Sequence, residues 1–160
     1  MQFALRNCGA SLLSLALLPL TLDSQLYYRS LSPNFKFRLP GLGERSLDKA
    51  AFFGLIFDQL LPSFPDLSFN AVFLTTTGLD DCAHVEIAVT GTHTGAPFSF
   101  LGLPPIRAAG RSIALPAEFL RIDVNSLTIE SAAADELPGQ PEAGFPTGIW
   151  LALGGTLPGF

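Results

Sequence analysis

The sequence is short of charged residues, which make up 14% of its 160 residues, whereas hydrophobic residues make up 48%. Such a composition argues against intrinsic disorder and favours a compact fold with a core of ordinary size. The formal net charge is −5, and no cluster of Lys and Arg occurs anywhere in the chain. Because the phosphates of a nucleic acid are bound by such clusters, we expect no nucleic-acid partner.

Cysteine and histidine are equally scarce, with only Cys8, Cys82, His84 and His93 in the whole chain. Neither cysteine belongs to a Cys-x-x-Cys pair, so the sequence favours two free thiols in a reducing, cytoplasmic compartment over a single disulfide. A metal site would need more His, Cys or carboxylate ligands at suitable spacing. We therefore expect no metal centre.

The first 22 residues contain an apolar run from Ala10 to Leu20 that follows a single Arg. The run is too short to span a bilayer, so we expect no membrane partner. It favours a buried first helix that breaks near Pro19 over a cleaved signal peptide, because no Ala-x-Ala cleavage site follows it. Secretion with a cleaved leader is the alternative.

Two segments early in the chain have the pattern of helices. Residues 21–31 predict a short helix that is capped by Thr21 or Asp23. Residues 46–61 predict the longest helix, with Ser46 as its N-cap, a broad apolar face and prolines directly after it.

In five other segments, apolar and polar residues alternate with the period of two that is typical of strands. They cover residues 34–39, 67–78, 82–93, 111–124 and 126–134. Pro116 removes a ladder hydrogen bond, so the fourth of these strands is bulged or lies at an edge there. Asn125–Ser126 suits a tight hairpin between the last two. Because the helices come early and the strands late, the sequence predicts an α+β fold.

The string VEIAVTGTHTG…GLPPIRAAGRSI, between Val85 and Ile113, resembles the SnoaL-like polyketide cyclases of the nuclear-transport-factor-2-like superfamily. That family often has a strand that ends in Gly-Thr-His-x-Gly, and then a loop with Gly-x-Pro-Pro-x-x-x-x-Gly. The matching residues are Gly91, Thr92, His93, Gly95, Gly102, Pro104, Pro105 and Gly110. The resemblance covers residues 20–135 and implies a single domain over 1–160, with residues 136–160 as a Gly- and Pro-rich tail.

The resemblance implies a cone-shaped α+β fold, in which a curved, mostly antiparallel sheet packs on about three N-terminal helices. It also implies a homodimer and a hydrophobic pocket for a small, apolar, carbonyl-bearing molecule. The implied reaction is an intramolecular aldol ring closure that needs no cofactor. In it, a carboxylate takes a proton from the carbon beside a carbonyl, and a hydrogen-bond donor supports the enolate.

Three residues are candidates for this chemistry. Asp135 follows an apolar strand and lies nearest to the family's carboxylate; the alternative is an ordinary carboxyl in a polar turn. Glu118 lies inside an apolar strand and serves instead if it points inward rather than to solvent. His93 either contributes to a substrate pocket or is structural, with its imidazole satisfying backbone groups where the chain turns.

Five further residues are candidates for substrate binding: Tyr27, Tyr28, Phe37, Phe53 and Glu130. A Tyr on the early helix of such a fold can donate a hydrogen bond into the cavity, or it can simply fill the core. The 14 Phe against one Trp and two Tyr indicate a core or cavity walled by plain apolar rings. A non-catalytic module of the same fold, which binds a ligand or dimerises, is the second hypothesis, since fold alone does not decide function.

Overall fold

A computed structural model describes residues 24–76, 82–125, 128–134 and 141–157 of the chain. Three sequence predictions lie outside these ranges: the helix or leader before residue 23, the turn at 79–81 and the role of Asp135. Cys8 lies outside them as well. Within the described ranges, no helix is long and apolar enough to cross a membrane.

Helices and strands divide the described chain as an α+β fold requires. The helical elements are α1 (Ser24–Ser30), α2 (Lys49–Gly54), a π-helical turn (Leu55–Leu60), α3 (Leu61–Ser63), a 3-10 turn (Pro141–Ala143) and α4 (Thr147–Ala152). The strands are β1 (Leu31–Arg38), β2 (Ser46–Asp48), β3 (Ser68–Thr76), β4 (Cys82–His93), β5 (Arg111–Ala114), β6 (Glu118–Asn125) and β7 (Thr128–Ala134). The predicted fold class is confirmed. A third N-terminal helix would fall in the part of the chain before Ser24 and stays a prediction, as does the cone shape.

The strands of the described residues form one sheet in the order β2-β1-β7-β6-β4-β3, with β5 paired to β4. Each pairing is antiparallel except that of β1 with β7, which is parallel. The predicted hairpin between β6 and β7 is confirmed, although Asn125 belongs to β6, where it lies opposite Thr128, and not to the turn.

The predicted strand over residues 111–124 is in fact two strands. Residues 115–117 belong to neither strand, although the Leu115 N–H still donates to the Val89 carbonyl of β4 at 2.9 Å, and Pro116 lies in the middle of this break. Both strands pair with the same edge of β4, one after the other. β6 pairs with Cys82–Ile87 and β5 with Thr90–His93. A proline has no N–H for a ladder, which explains why the interruption falls there.

The alternation of β1 determines where the core lies. Phe35 and Phe37 are buried, as is Leu39 just after the strand, whereas Lys36 and Arg38 are exposed. This arrangement is the one that the sequence predicts. The helical segment from α2 to α3 packs on this face, with Phe52 stacked on Phe37 at a ring-centroid distance of 4.8 Å.

The N-cap prediction for the long helix was wrong. Ser46 belongs to β2, which pairs with β1, and the cap is Asp48, whose Oδ1 accepts a hydrogen bond from the Ala51 N–H at 2.9 Å. Asp48 has extended backbone geometry, as an N-cap requires. The helix also continues past the predicted end to Ser63, so that Pro62 lies inside its last turn. The π-helical turn before it has already departed from the α-helical ladder, and a residue without an N–H is tolerated there.

The Gly- and Pro-rich C-terminal part is not a peripheral tail where the structure describes it. Ile149 and Trp150 of α4 are buried in the core, and the Trp150 ring lies beside Phe98 and Phe100. The indole N–H donates to the carbonyl of Thr156 at 3.2 Å. Residues 141–157 are therefore an integral part of the packed structure.

Candidate functional site

Glu118 is the first residue of β6, and its side chain points into the protein. It lies opposite Ile87 of β4, whose side chain is also buried. Residues directly opposite each other in a ladder share a face of the sheet, which explains why Glu118 shares the inner face with Ile87. Only 2% of Glu118 is exposed, which is rare for a carboxyl without a basic partner.

The two oxygens of Glu118 have different environments. Oε1 accepts a hydrogen bond from the backbone N–H of Phe145 at 2.8 Å. Oε2 is buried and has no hydrogen-bond partner among the residues that the structure describes. Oε2 also packs so tightly on Gly144 that a Cβ at this position would collide with it. The segment Gly144–Pro146, which we call the cover segment, thus lies directly on the carboxyl group.

Burial raises the pKa of Glu118 to about 7, while the Phe145 N–H opposes this rise by stabilising the carboxylate. Desolvation is the larger effect, because one backbone donor replaces only part of the water that an ionised carboxyl would bind. A carboxyl with this pKa is populated in both protonation states at neutral pH. That is the property that a general acid or base needs.

Aromatic rings surround the cover segment on its inner side. The ring of Phe145 packs edge-on against Phe37 and Phe69, with centroid distances of 6.1 and 5.3 Å. Pro40 approaches Gly144 from the loop that follows β1. The predicted substrate-binding residue Phe37 therefore lies in the same cluster as the segment that holds Glu118.

The Gly-Thr-His-x-Gly string ends β4 and holds His93 inside the protein. His93 is 1% exposed, and its ring stacks on Phe64 at a centroid distance of 5.0 Å. Nε2 lies 3.0 Å from the carbonyl oxygen of Ala96. Because a carbonyl only accepts hydrogen bonds, Nε2 is the protonated nitrogen of the ring. His93 thereby fixes the turn that follows its own strand.

The same string attaches the end of β4 to the end of α3. The N–H groups of Gly95 and Ala96 donate to the carbonyls of Ser63 and Pro62, at 3.0 and 2.9 Å. Gly95 is required there, because a Cβ would collide with the carbonyl oxygen of Pro62. The backbone approach is therefore closer than any other residue type permits.

A carboxylate adds to this attachment from the surface. Asp66 Oδ1 accepts the backbone N–H of Thr92 at 2.6 Å. This hydrogen bond, with a second from the Thr92 hydroxyl, lowers the pKa of Asp66. The described contacts of the Gly-Thr-His-x-Gly string thus mainly attach the end of β4 to the end of α3.

The two tyrosines of α1 have different environments. Tyr27 is buried and packs against Phe57, and burial raises the pKa of its phenol, which stays protonated at neutral pH. Tyr28 is 38% exposed and packs edge-on against half-buried Phe53 at 5.1 Å. The Lys49 ammonium lies 4.2 Å from the centre of the Tyr28 ring. Tyr28 and Phe53 thus lie together near the surface.

The predicted site residues do not all converge. His93 lies six residues beyond Ile87 on β4, so it is roughly 20 Å along the strand from the position opposite Glu118. Glu130 is half-buried on β7, four residues before Ala134, which pairs with Leu120. Within the described part of the chain, Glu118 and Phe37 are the predicted residues that share the cover-segment cluster. Asp135 follows Ala134 directly in the sequence, but it lies outside the described residues.

Sequence reasoning missed the residues that enclose Glu118, which are Gly144 and Phe145. The signal in the sequence was the apolar burst GIWLALGG, which needs a buried partner and which Gly144–Pro146 directly precedes. Among the described residues there is no group of three or more His, Cys, Asp or Glu that could hold a metal ion.

Solved structures with this fold are numerous, although sequence identity to them is low. TsrD from Streptomyces laurentii aligns with a TM-score of 0.63 at 16% identity, over 94% of this chain and 98% of TsrD. A proposed polyketide cyclase from Xanthomonas campestris aligns with a TM-score of 0.60 at 17% identity, over 81% of this chain and 90% of the other. AclR from Streptomyces galilaeus, a proposed hydroxylase, gives 0.58 at 18% identity, over 94% and 85%.

No protein-family model matches the chain, and no curated protein matches it in sequence. The structural likenesses define the class of fold: it is the fold of several proteins described as proposed polyketide cyclases, in agreement with the resemblance in the sequence. Proteins described as cyclases and as a hydroxylase share this fold, so the fold alone does not decide the reaction.

Proposed function

We propose that this protein is a small-molecule enzyme in which Glu118 is the general acid/base. The observation that carries the proposal is a buried carboxyl on an inner sheet face, with one oxygen held by the Phe145 N–H and the other unpartnered among the described residues. A pKa of about 7 suits proton transfer at neutral pH. The aromatic rings packed on Phe145 favour an apolar substrate.

The reaction that suits this group is proton abstraction from the carbon beside a carbonyl. Glu118 Oε2 takes the proton, the C–H electron pair forms the enolate, and the carboxylic acid that results can return the proton. In a ring closure, the enolate carbon forms a bond to a second carbonyl carbon, whose oxygen then accepts a proton. The substrate class is therefore a hydrophobic, polyketide-like carbonyl compound, and the proposed reaction uses no cofactor.

The test measures the exchange of α-protons for deuterons in the aryl ketone α-tetralone, by NMR in D2O. The protein is expected to accelerate the exchange, and Glu118→Gln to reduce the acceleration by about 10²- to 10⁴-fold, the contribution of a positioned acid/base. Glu86→Gln is the matched control, because Glu86 is a half-buried carboxyl on the adjacent strand, opposite Phe119. It is expected to leave the exchange rate unchanged.

A third variant, Asp135→Asn, distinguishes Glu118 from Asp135 as the group that transfers the proton. If Asp135→Asn abolishes exchange while Glu118→Gln leaves it intact, the proton is transferred through Asp135 and the assignment to Glu118 is wrong. If both variants lose the activity, the two carboxyls act together.

His93 we assign to structure rather than to chemistry. Its Nε2–H is engaged by the Ala96 carbonyl and its ring is stacked on Phe64, so the protonated nitrogen is not available to a substrate. The expected result is that His93→Gln lowers stability and leaves the pH dependence of tetralone exchange unchanged.

A non-catalytic module of the same fold is the second candidate. The observation that favours it is the near-complete burial of Glu118, which in this reading only anchors the cover segment. The module would bind an apolar ligand or form a homodimer. In that case wild type and Glu118→Gln bind an apolar dye equally, neither accelerates tetralone exchange, and light scattering reports a dimer.

A further inference from the structure

The cover segment is joined to α4, since the carbonyls of Gly144 and Pro146 accept the N–H groups of Gly148 and Ile149 at 2.7 and 3.1 Å, and the ring of Phe145 is buried. Beyond Pro146, α4 is fixed by the buried side chains of Ile149 and Trp150. The Arg111 guanidinium donates to the carbonyl of Ala152 at 3.2 Å, which adds a link from β5 to the end of α4. These anchors are apolar or permanently charged, so they do not respond to pH near neutrality.

The cover segment itself lies on a group that does respond. Its described side-chain hydrogen bond is the one from the Phe145 N–H to Glu118 Oε1. Gly144 packs on Oε2, which has no partner among the described residues and is shut off from water. A neutral carboxyl is tolerated in this position, whereas an ionised one leaves a buried charge with a single donor.

We propose that Gly144–Pro146 is a proton-controlled cover over Glu118, closed while Glu118 is protonated and displaced when Glu118 ionises. Displacement breaks the hydrogen bonds from Gly148 and Ile149 to the cover segment and leaves the rest of α4 in place. This inference concerns the regulation of the site proposed above and rests on Glu118 being its acid/base. Its consequence is that water and substrate reach the carboxyl in its basic form, which is the form that abstracts a proton.

The direction of the pH dependence follows from linkage. The pKa of Glu118 is about 7 when covered, and in an opened, hydrated state it returns towards the ordinary value of 4.5. Opening is therefore favoured as pH rises from 4.5, and the effect levels off above pH 7. The ratio of open to closed molecules changes by at most about 300-fold over this interval, since each unit of pKa difference is a factor of ten.

Other charged groups near Glu118 do not supply this dependence. On β4, Glu86 pairs with Phe119 and so points to the opposite face of the sheet from Glu118. On β1, Arg38 is exposed, and Glu142 belongs to the 3-10 turn before the cover segment. The pKa of Glu118 is set by burial and the Phe145 N–H, with no charged side chain contributing.

The test is amide hydrogen exchange of the full chain, followed by NMR between pH 4.5 and 8. The opening constant of Phe145 is its observed rate divided by the rate of an unprotected amide at the same pH. We expect it to rise with pH by up to about 300-fold and to level off near pH 7. The amide of Leu153, which donates to Ile149 at 3.1 Å, reports α4 and is expected to keep a constant opening constant.

Two variants make the result decisive. Glu118→Gln keeps an acceptor for the Phe145 N–H but cannot ionise, so its opening constant is expected to be independent of pH. Gly144→Ala places a methyl group too close to Oε2 and is expected to open the cover at every pH. Gly54→Ala is the matched control, because its added Cβ would meet only Asp58 Oδ2 at 3.5 Å.

The proposal is overturned if the opening constant of Phe145 in the wild type does not change with pH, or if Glu118→Gln shows the same rise. It is also overturned if Leu153 opens together with Phe145, because the motion is then a loss of α4 and not of the cover alone. None of these measurements involves a substrate. They are therefore independent of the tetralone test, which can fail or succeed separately.

Discussion

Replacing Gly95 by alanine tests a close backbone contact between the end of β4 and the end of α3. A Cβ at Gly95 would overlap the carbonyl oxygen of Pro62, and it would also lie 3.0 Å from the Pro62 carbonyl carbon and 3.2 Å from the Ser63 oxygen. All three atoms are backbone, so no side chain can rotate away to make room. The end of β4 and the end of α3 must therefore separate.

The loss in the free energy of unfolding can be calculated from the hydrogen bonds that join the end of β4 to the end of α3. Two backbone hydrogen bonds, from Gly95 and Ala96 to Ser63 and Pro62, lengthen or break. At about 1 kcal/mol each, they contribute about 2 kcal/mol. Looser packing of His93 on Phe64 adds to this, and the lower entropy of an unfolded chain with Ala instead of Gly offsets about 0.5–1 kcal/mol. The expected net loss is about 1–2 kcal/mol.

Urea unfolding followed through the single tryptophan, Trp150, measures this loss directly. Gly54→Ala provides a control of opposite sign, because Gly54 has helical backbone angles and an open position for a Cβ. It is expected to stabilise the protein by about 0.5–1 kcal/mol. If Gly95→Ala lies within about 0.5 kcal/mol of wild type, the junction is not closely packed and this reasoning is refuted.

Three further changes have expected outcomes. Wild-type stability is expected to fall as pH rises from 4.5 to 7, by at most about 3 kcal/mol, because the pKa of covered Glu118 is raised from 4.5 to about 7 on folding and opening of the cover limits the fall. Urea unfolding of Glu118→Gln should show no such fall. Asp66→Asn is expected to destabilise the protein at neutral pH. The difference in stability from wild type should disappear as the pH falls below 3.8 and through the lowered pKa of Asp66. Equal stability of the two proteins at pH 7 would contradict the role of the hydrogen bond from Thr92. Lys49→Met removes the ammonium group that donates to the Leu31 carbonyl at 2.7 Å, and is expected to lower the free energy of unfolding by about 1–2 kcal/mol, measured by thermal unfolding. Lys36→Met, at an exposed strand position, is the control and is expected to leave the free energy of unfolding nearly unchanged.

Local patterns in the sequence predicted the elements well where one physical effect dominated. The alternation around Phe35 and Phe37 identified β1 and its buried face, since a strand between core and solvent must alternate. Pro116 marked the place where the ladder breaks, because its missing N–H is a local property. Ser46 misled the N-cap prediction, because pairing with β1 holds this residue in a strand and leaves the cap to Asp48.

The candidate site was harder to predict, because its components are far apart in the sequence. Glu118 was one of the candidates, but whether it faced inward depended on its register with Ile87. Its environment depends on Phe145, 27 residues away, which no periodicity connects to it. The Gly-Thr-His-x-Gly string was conspicuous in the sequence, yet its described contacts are those of a structural junction.

The parallel pairing of β1 with β7 has a consequence for how the chain is made. Leu31 lies opposite Ile129, so roughly a hundred residues must leave the ribosome before β1 gains its partner on that side. Until then one edge of β1 has no partner strand, while its other edge pairs with β2 and Phe52 of the following helix packs on Phe35 and Phe37. Contacts between such distant parts of a chain slow folding and leave strand edges open to other chains. Among the described strand pairs, β1 and β7 are therefore the two that are made furthest apart in time.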